Sequence, residues 1–213
     1  MKRTAYSTNP KDTAKAVAKA YPHHPVVEAW NAIKATFTPE PEAEWVSDSV
    51  VQWAVRWARA HPRGGLIWTS SVAVGEAIAG AAGVRYYGAE GEAADGSNIE
   101  HVDDAVAVAS INANTRGRNL QYRFHSGAVV GMPQSGEKLE QLFGRFHRSG
   151  QRRPVTWDLL MTSGGTRYAF DVATREAEGV LSVQAQKQKI LRARMNDWNP
   201  PSTALRWSRR TAD

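Results

Sequence analysis

Apolar residues recur along this chain in two rhythms, and the change from one to the other divides it. Val50, Trp53, Ala54 and Trp57 fall at helical spacing and predict a helix over Ser47–Ala60, capped by Ser47 and ended by HPRGG at His61–Gly65. Upstream, a short helix over Thr13–Ala20 and a second over His24–Thr36, with Val27, Trp30 and Ile33 on one face, precede a Pro/Glu-rich linker at Thr38–Glu44. Downstream, short apolar runs alternate with helical stretches. Strands are predicted at Leu66–Thr69, Val84–Tyr87, Ala105–Ala109, Ala128–Met132 and Val155–Met161. Between them lie an Ala-rich helix over Val72–Ala82 ending near Gly83, a Gly/Glu/Asp loop at Gly88–Ser97, a short helix at Asn98–Asp104 and a helix closing on Gln141–Gln151. AVAVA at 105–109 is small and continuously apolar, as in a parallel strand covered on both faces. The expected fold class is therefore α/β, a single domain with a parallel sheet flanked by helices. Extra helices are expected at both ends, the last over Arg167–Met195 with a break near Gly179, before a basic tail.

Gln141–Gln151, QLFGRFHRSGQ, carries the most chemistry. On a helix, Leu139, Leu142, Phe143 and Phe146 make a buried stripe. Gln141, Arg145 and Arg148 fall nearly opposite, so two guanidiniums share one direction over a rigid backing. Arginine suits bidentate phosphate contact, and an aligned pair suits stabilising the transition state of phosphoryl transfer. The bland alternative is a solvated helix face.

The whole string settles between these. Gln141, Gly144, Arg145, His147, Arg148, Gly150 and Gln151 resemble motif VI of superfamily 2 helicases and ATP-driven DNA translocases, in the form used by the chromatin-remodelling branch and its bacteriophage relatives. SINANTRGRNLQ at 110–121 resembles motif V, whose Gly-x-Asn-Leu ending is carried by Gly117, Asn119 and Leu120, although Asn114-Thr115-Arg116 replaces the usual Gly pair. LIWTSSVAVGE at 66–76 resembles motif IV, and MPQSG at 132–136 the turn leading into motif VI. The resemblance covers residues 62–162 and implies a second (C-terminal) RecA-like lobe, with residues 1–61 and 163–213 as flanking extensions. It implies Arg145 and Arg148 as catalytic arginine fingers, and Gly117, Asn119 and Gln141 beside the nucleotide. It further implies DNA-backbone contacts from Thr69, Ser70, Ser71, Ser110, Thr115 and Arg116. A helix N-terminus after motif IV suits a backbone phosphate, but simple N-capping explains Ser70 or Ser71 equally well. Arg116 and Arg118 either touch phosphates or face solvent.

Composition adds three constraints. Net charge is +6 and the pI about 9.7, which favours a polyanion such as DNA as partner. Eight Trp serve the core or stack on bases. The absence of Cys fits a reducing compartment, the cytoplasm, which is the host's if the gene is a phage's. No apolar run is long enough to span a membrane. The six His share no metal-ligand spacing.

A complete motor of the resembled class also needs a first lobe with a G-x-x-x-x-G-K-[ST] phosphate loop and an acidic Mg²⁺ motif. No Gly-Lys dipeptide occurs, and Asp103-Asp104 precedes its strand instead of following it. ATP is therefore expected at a junction with a first lobe from a partner or a longer parent chain, which also holds Mg²⁺. The chain alone is expected to hydrolyse ATP negligibly. The alternative function is a non-catalytic DNA-binding or regulatory module derived from such a lobe.

Overall fold

The computed structural model describes residues 18–38, 44–101, 105–114, 117–133 and 135–193. The chain divides into two compact units, 1–44 and 45–213. Most of the expected helix at Thr13–Ala20, most of the Thr38–Glu44 linker and the basic tail lie outside the described residues.

In the first unit, α1 (Pro25–Ile33) begins where proline presets φ and the His24 Nδ1 accepts the Val26 N–H at 3.3 Å. Val26, Trp30, Ile33 and Phe37 are exposed, and Trp30 meets Phe37 edge to face at 5.7 Å.

The second unit is built on five strands: β1 (Gly65–Thr69), β2 (Tyr86–Tyr87), β3 (Val106–Ser110), β4 (Ser126–Val129) and β5 (Thr156–Leu159). Their order is β2-β3-β1-β4-β5 and every pairing is parallel. The central strand, GLIWT, is buried at all five positions, as in a parallel strand covered on both faces. Ile67, Val108 and Ala128 turn to one face, against α2 (Ser49–Ala60) and α3 (Val72–Ala82). Leu66, Trp68, Ala107, Ala109 and Val129 turn to the other, against α5 (Gly136–Phe143), α6 (Gly164–Gln184) and α7 (Lys189–Arg192). A short helix α4 (Ile111–Asn114) follows β3. The architecture is the expected α/β domain: a parallel sheet between two helical layers.

Helix α3 has the expected bounds because both ends are locally encoded. Ser71 Oγ accepts the Val74 N–H at its start, and Gly83 ends it in the left-handed region at φ 67°. Elsewhere tertiary contacts move the boundaries. Helix α2 begins at Ser49, with Ser47 Oγ instead accepting the Ser49 N–H at 3.2 Å. Strand β2 is confined to Tyr86–Tyr87, because the Val84 N–H closes the end of α3 on Ala79 O. Residues 98–101, expected to open a helix, form a bridge from Asn98 to Glu92 and then a turn in which Asn98 Oδ1 accepts the Glu100 N–H. Strand β4 starts at Ser126 and ends at Val129, not at 128 and 132. Its small residues are required, since a side chain at Gly127 would sit 2.3 Å from the Trp157 ring. Helix α6 runs unbroken through Gly179, and the chain turns only at Ala185, φ 54°. Its Ala169, Ala173 and Ala177 stripe packs into the core beneath α5.

No helix among the described residues is long and apolar enough to cross a membrane.

Candidate functional site

In a parallel sheet, ligand sites gather at the C-terminal ends of the strands. Here β1 and β3 pair in register, so Thr69 stands opposite Ser110 at that edge. Both are buried. Thr69 Oγ1 donates to Ser71 O and accepts the Ser71 N–H, each at 3.1 Å. Ser110 Oγ accepts the Ala113 N–H at 3.4 Å. Ser71 caps α3, and Ser70 is left exposed beside Gly131, where a side chain would come within 2.7 Å of the Ser70 hydroxyl. The structure therefore brings Thr69, Ser70, Ser71 and Ser110 to one edge, but occupies three of the four in local turns and caps.

Beyond Ser110 the chain is pinned by a residue that the sequence marks only as a departure from the usual Gly pair. The Asn114 amide, fully buried, donates to Tyr87 O at 3.0 Å, Gly88 O at 3.1 Å and Ser110 O at 3.1 Å. One side chain thus ties the ends of β2 and β3 together. Thr115 and Arg116 lie outside the described residues. Gly117 is exposed at φ 75°, with open space where a side chain would stand, so it serves backbone shape and not close packing.

Arg118 is not a solvent-facing arginine. Its guanidinium lies on the backbone of Gly91, where a Cβ would meet Cζ at 2.4 Å, and pairs with Glu100 Oε2 at 3.3 Å. Glu100 is the hub of this loop. Its Oε1 accepts the Asn119 N–H at 2.8 Å, and its carbonyl accepts Arg123 Nε at 3.0 Å. Asn119 is thereby placed on the same exposed loop as Gly117. These partners are 18 or more residues apart, which no local pattern records.

The Gln141–Gln151 segment closes over this loop. Ser135 caps α5 and the Glu176 carboxylate accepts the Gly136 N–H at 2.6 Å. Leu139, Leu142, Phe143 and Phe146 are all buried, as the helical spacing requires. The helix itself ends at Phe143. Arg145 and Phe146 bond to carbonyls three residues back, a tightened turn, and the arginine pair sits on that turn and the open chain after it. The Gln151 amide fixes this exit by donating to Phe124 O at 3.0 Å, while its oxygen accepts the Arg153 N–H at 3.0 Å. Phe146 stacks on Trp157 at 4.7 Å.

The two arginines converge. Arg145 Nη1 donates to Arg118 O at 2.8 Å, and Arg148 Nη1 reaches the same oxygen at 3.5 Å. Burial pulls the Arg145 guanidinium below its ordinary pKa and the Arg148 charge adds to this, with Glu100 opposing. Arg145 Nε is buried with no hydrogen-bond partner. Arg145 is half-buried and Arg148 exposed; sharing one neutral acceptor, the two have donors to spare, and a phosphate oxygen matches them. Gln141 is not aimed at this pair: its amide donates to Glu137 Oε1 at 2.7 Å. An open depression beside the pair is lined by His147, Arg148, Ser149, Gln151 and Arg153. Among the described residues no cluster of His, Asp or Glu fits a metal ion.

No protein-family model matches the chain, and no curated protein matches it in sequence. Solved structures share its fold. The C-terminal part of the Fun30 ATPase domain superposes with a TM-score of 0.50 at 12% identity, over 76% of this chain and 65% of that one. T4 UvsW gives a TM-score of 0.42 at 15% identity, over 79% of this chain and 37% of that one. The chain thus spans less than two thirds of the length of either. The likeness to the Fun30 structure is one of fold: a RecA-like α/β lobe.

Proposed function

We propose that this chain is the second lobe of an ATP-dependent DNA helicase or translocase of superfamily 2, working with a first lobe that holds the nucleotide's phosphates and its Mg²⁺. The observation that carries the reading is the convergence of Arg145 and Arg148 on the Arg118 carbonyl. Two guanidiniums from the motif VI-like segment meet the motif V-like loop, one with a buried unpartnered N–H. In this reading the pair leaves that carbonyl for the terminal phosphate of ATP bound across the junction. There it neutralises charge developing on the transferred phosphoryl group, a role worth on the order of 10³–10⁵ in turnover for arginine fingers. Gly117 and Asn119, on the exposed loop that Glu100 clamps, lie by the nucleotide, and Gln141 supports the helix behind the fingers. Ser70 is the hydroxyl most available to a DNA phosphate, with Thr69, Ser71 and Ser110 shaping the turn around it and Thr115 and Arg116 extending the contact. Closing and opening of the two lobes with each ATP cycle then moves the strand.

The residues fit the terminal phosphate but supply neither a phosphate cradle nor a metal ligand, so hydrolysis requires the first lobe. A bind-only module is the competing reading, and DNA affinity separates the two. In fluorescence anisotropy with labelled DNA, both readings give salt-dependent binding by this basic chain. Only the motor reading gives DNA affinity that changes with ATP once a first lobe carrying a phosphate loop is present. DNA binding indifferent to ATP in every such mixture would support the module instead.

A further inference from the structure

Tyr122 is turned outward at the junction of the two loops that form the site. The residue is 72% exposed, although those around it are anchored: Leu120 and Phe124 are fully buried, Gln121 is 5% exposed and Arg123 is tied to Glu100. The backbone beneath it is a closed helical turn, with the Arg123 and Phe124 N–H groups both on Leu120 O. The ring is not loose. Its hydroxyl edge lies on the backbone of Gly150, where a Cβ would stand 2.7 Å from Cε1 and 3.0 Å from the hydroxyl oxygen. Gly150 also has φ 92°, so glycine is required there twice over.

The position matters as much as the exposure. Tyr122 follows Arg118, whose carbonyl receives both guanidiniums, by four residues, and Gly150 follows Arg148 by two. Two residues span at most about 7 Å, so the backbone on which the ring rests lies within that reach of the Arg148 backbone. An aromatic face held on rigid backbone beside phosphate-binding guanidiniums matches the two halves of a nucleotide, since every base offers a π-face.

We infer that Tyr122 is a stacking platform for a nucleobase whose phosphates are held by Arg145 and Arg148; this rests on the reading of those arginines given above. The shared chemistry is a nucleotide, supplied by ATP or by a DNA strand. Stacking of one base corresponds to about a tenfold or larger gain in affinity. The alternative role for Tyr122 is to cover the Gly150 turn, which would affect stability alone.

The test uses the full chain with isotope-labelled tyrosine rings and arginine side chains, mixed with an unlabelled first lobe bearing a phosphate loop and followed by NMR. It is titrated separately with ATP, with inorganic tripolyphosphate, with a short oligothymidylate and with an abasic strand of the same length. The expected result is an upfield ring shift at Tyr122 with ATP and none with tripolyphosphate, although both perturb the Arg145 and Arg148 signals. Tyr122→Ala is expected to weaken ATP about tenfold and leave tripolyphosphate unchanged, with Tyr122→Phe close to the parent. A ring shift from oligothymidylate but not from ATP or the abasic strand also supports the platform and assigns it to the DNA strand. Phosphate perturbation at the arginines with no base-dependent shift from either source overturns the platform and leaves the fingers standing. Absence of any perturbation at Arg145 and Arg148 overturns both.

Discussion

Arg145 Nη1 donates to the carbonyl oxygen of Arg118 at 2.8 Å, so the arginine of one motif rests on the backbone of another. The contact fixes the geometry of the candidate site, yet it does not account for why an arginine stands there. Burial and the neighbouring Arg148 charge both disfavour the Arg145 cation, as the downward shift of its pKa records. A group that its surroundings disfavour is kept for something other than stability. Replacement by methionine retains the apolar stem and removes the charge. Arg145→Met is therefore expected to leave the urea midpoint unchanged or raise it, and a loss of more than about 2 kcal/mol, the range of a charge-assisted hydrogen bond, would make the residue structural.

Glu100 is expected to behave in the opposite way. Its carboxylate holds the Asn119 N–H and the Arg118 guanidinium, and removing it strands both. Glu100→Ala should cost about 1–3 kcal/mol in denaturant unfolding, with Glu100→Gln between it and the parent. Amide exchange at Asn119 should accelerate in step. Unchanged exchange in Glu100→Ala would show that the loop is held by other means.

Much of this was legible in the sequence where the encoding is local. The cap at Ser71 and the left-handed glycine at 83 bound α3, and the buried stripe of Leu139, Leu142, Phe143 and Phe146 follows from spacing alone. The convergence of Arg145 and Arg148 was legible as a shared direction, but their partner was not, because Arg118 O lies 27 and 30 residues away. Helical spacing also continued past Phe143, where the chain unwinds. The roles of Glu100 and Asn114 escaped notice for a similar reason. Glu100 lies in a stretch read only as a short helix and Asn114 in one read only as a departure from the usual Gly pair, and each role exists only once β2, β3 and the following loops are side by side. Strand β4 was displaced toward its apolar residues, because nothing local shows that Trp157 lies over Gly127.

Gly127 gives a packing test beneath the arginine turn. An added methyl would collide with the Trp157 ring at 2.3 Å and approach Phe146 at 3.0 Å, and these two rings stack on each other. Gly127→Ala is expected to destabilise by about 1–3 kcal/mol through overpacking and to lower the Tm by several degrees. A midpoint equal to the parent's would mean that the ring stack moves freely.

Next to the depression beside Arg148, His125 provides a pH test. Its Nε2 lies 3.1 Å from Arg153 Nη1, which can only donate, so the imidazole must be neutral to accept. Burial lowers its pKa from 6.5, and the Arg153 and His61 charges reinforce this. As pH falls through 6.5 the unfolded chain takes up a proton that the folded chain refuses, and stability is lost until the lower folded value is reached. Comparison of urea midpoints at about pH 7.5 and 5.5 should show a fall in the parent that is smaller in His125→Gln. An equal fall in both would assign the dependence to other groups.

In the proposed function, Arg145 and Arg148 complete an ATP site whose other half lies on a first lobe. The most direct measurement is steady-state, DNA-stimulated ATP hydrolysis by this chain mixed with a candidate first lobe bearing a phosphate loop and an acidic Mg²⁺ motif. The isolated chain should be inactive and the mixture active, and Arg145→Ala or Arg148→Ala should lower kcat by about 10³ or more with DNA binding retained. Full turnover in both variants, or robust hydrolysis by the purified chain alone, would contradict it.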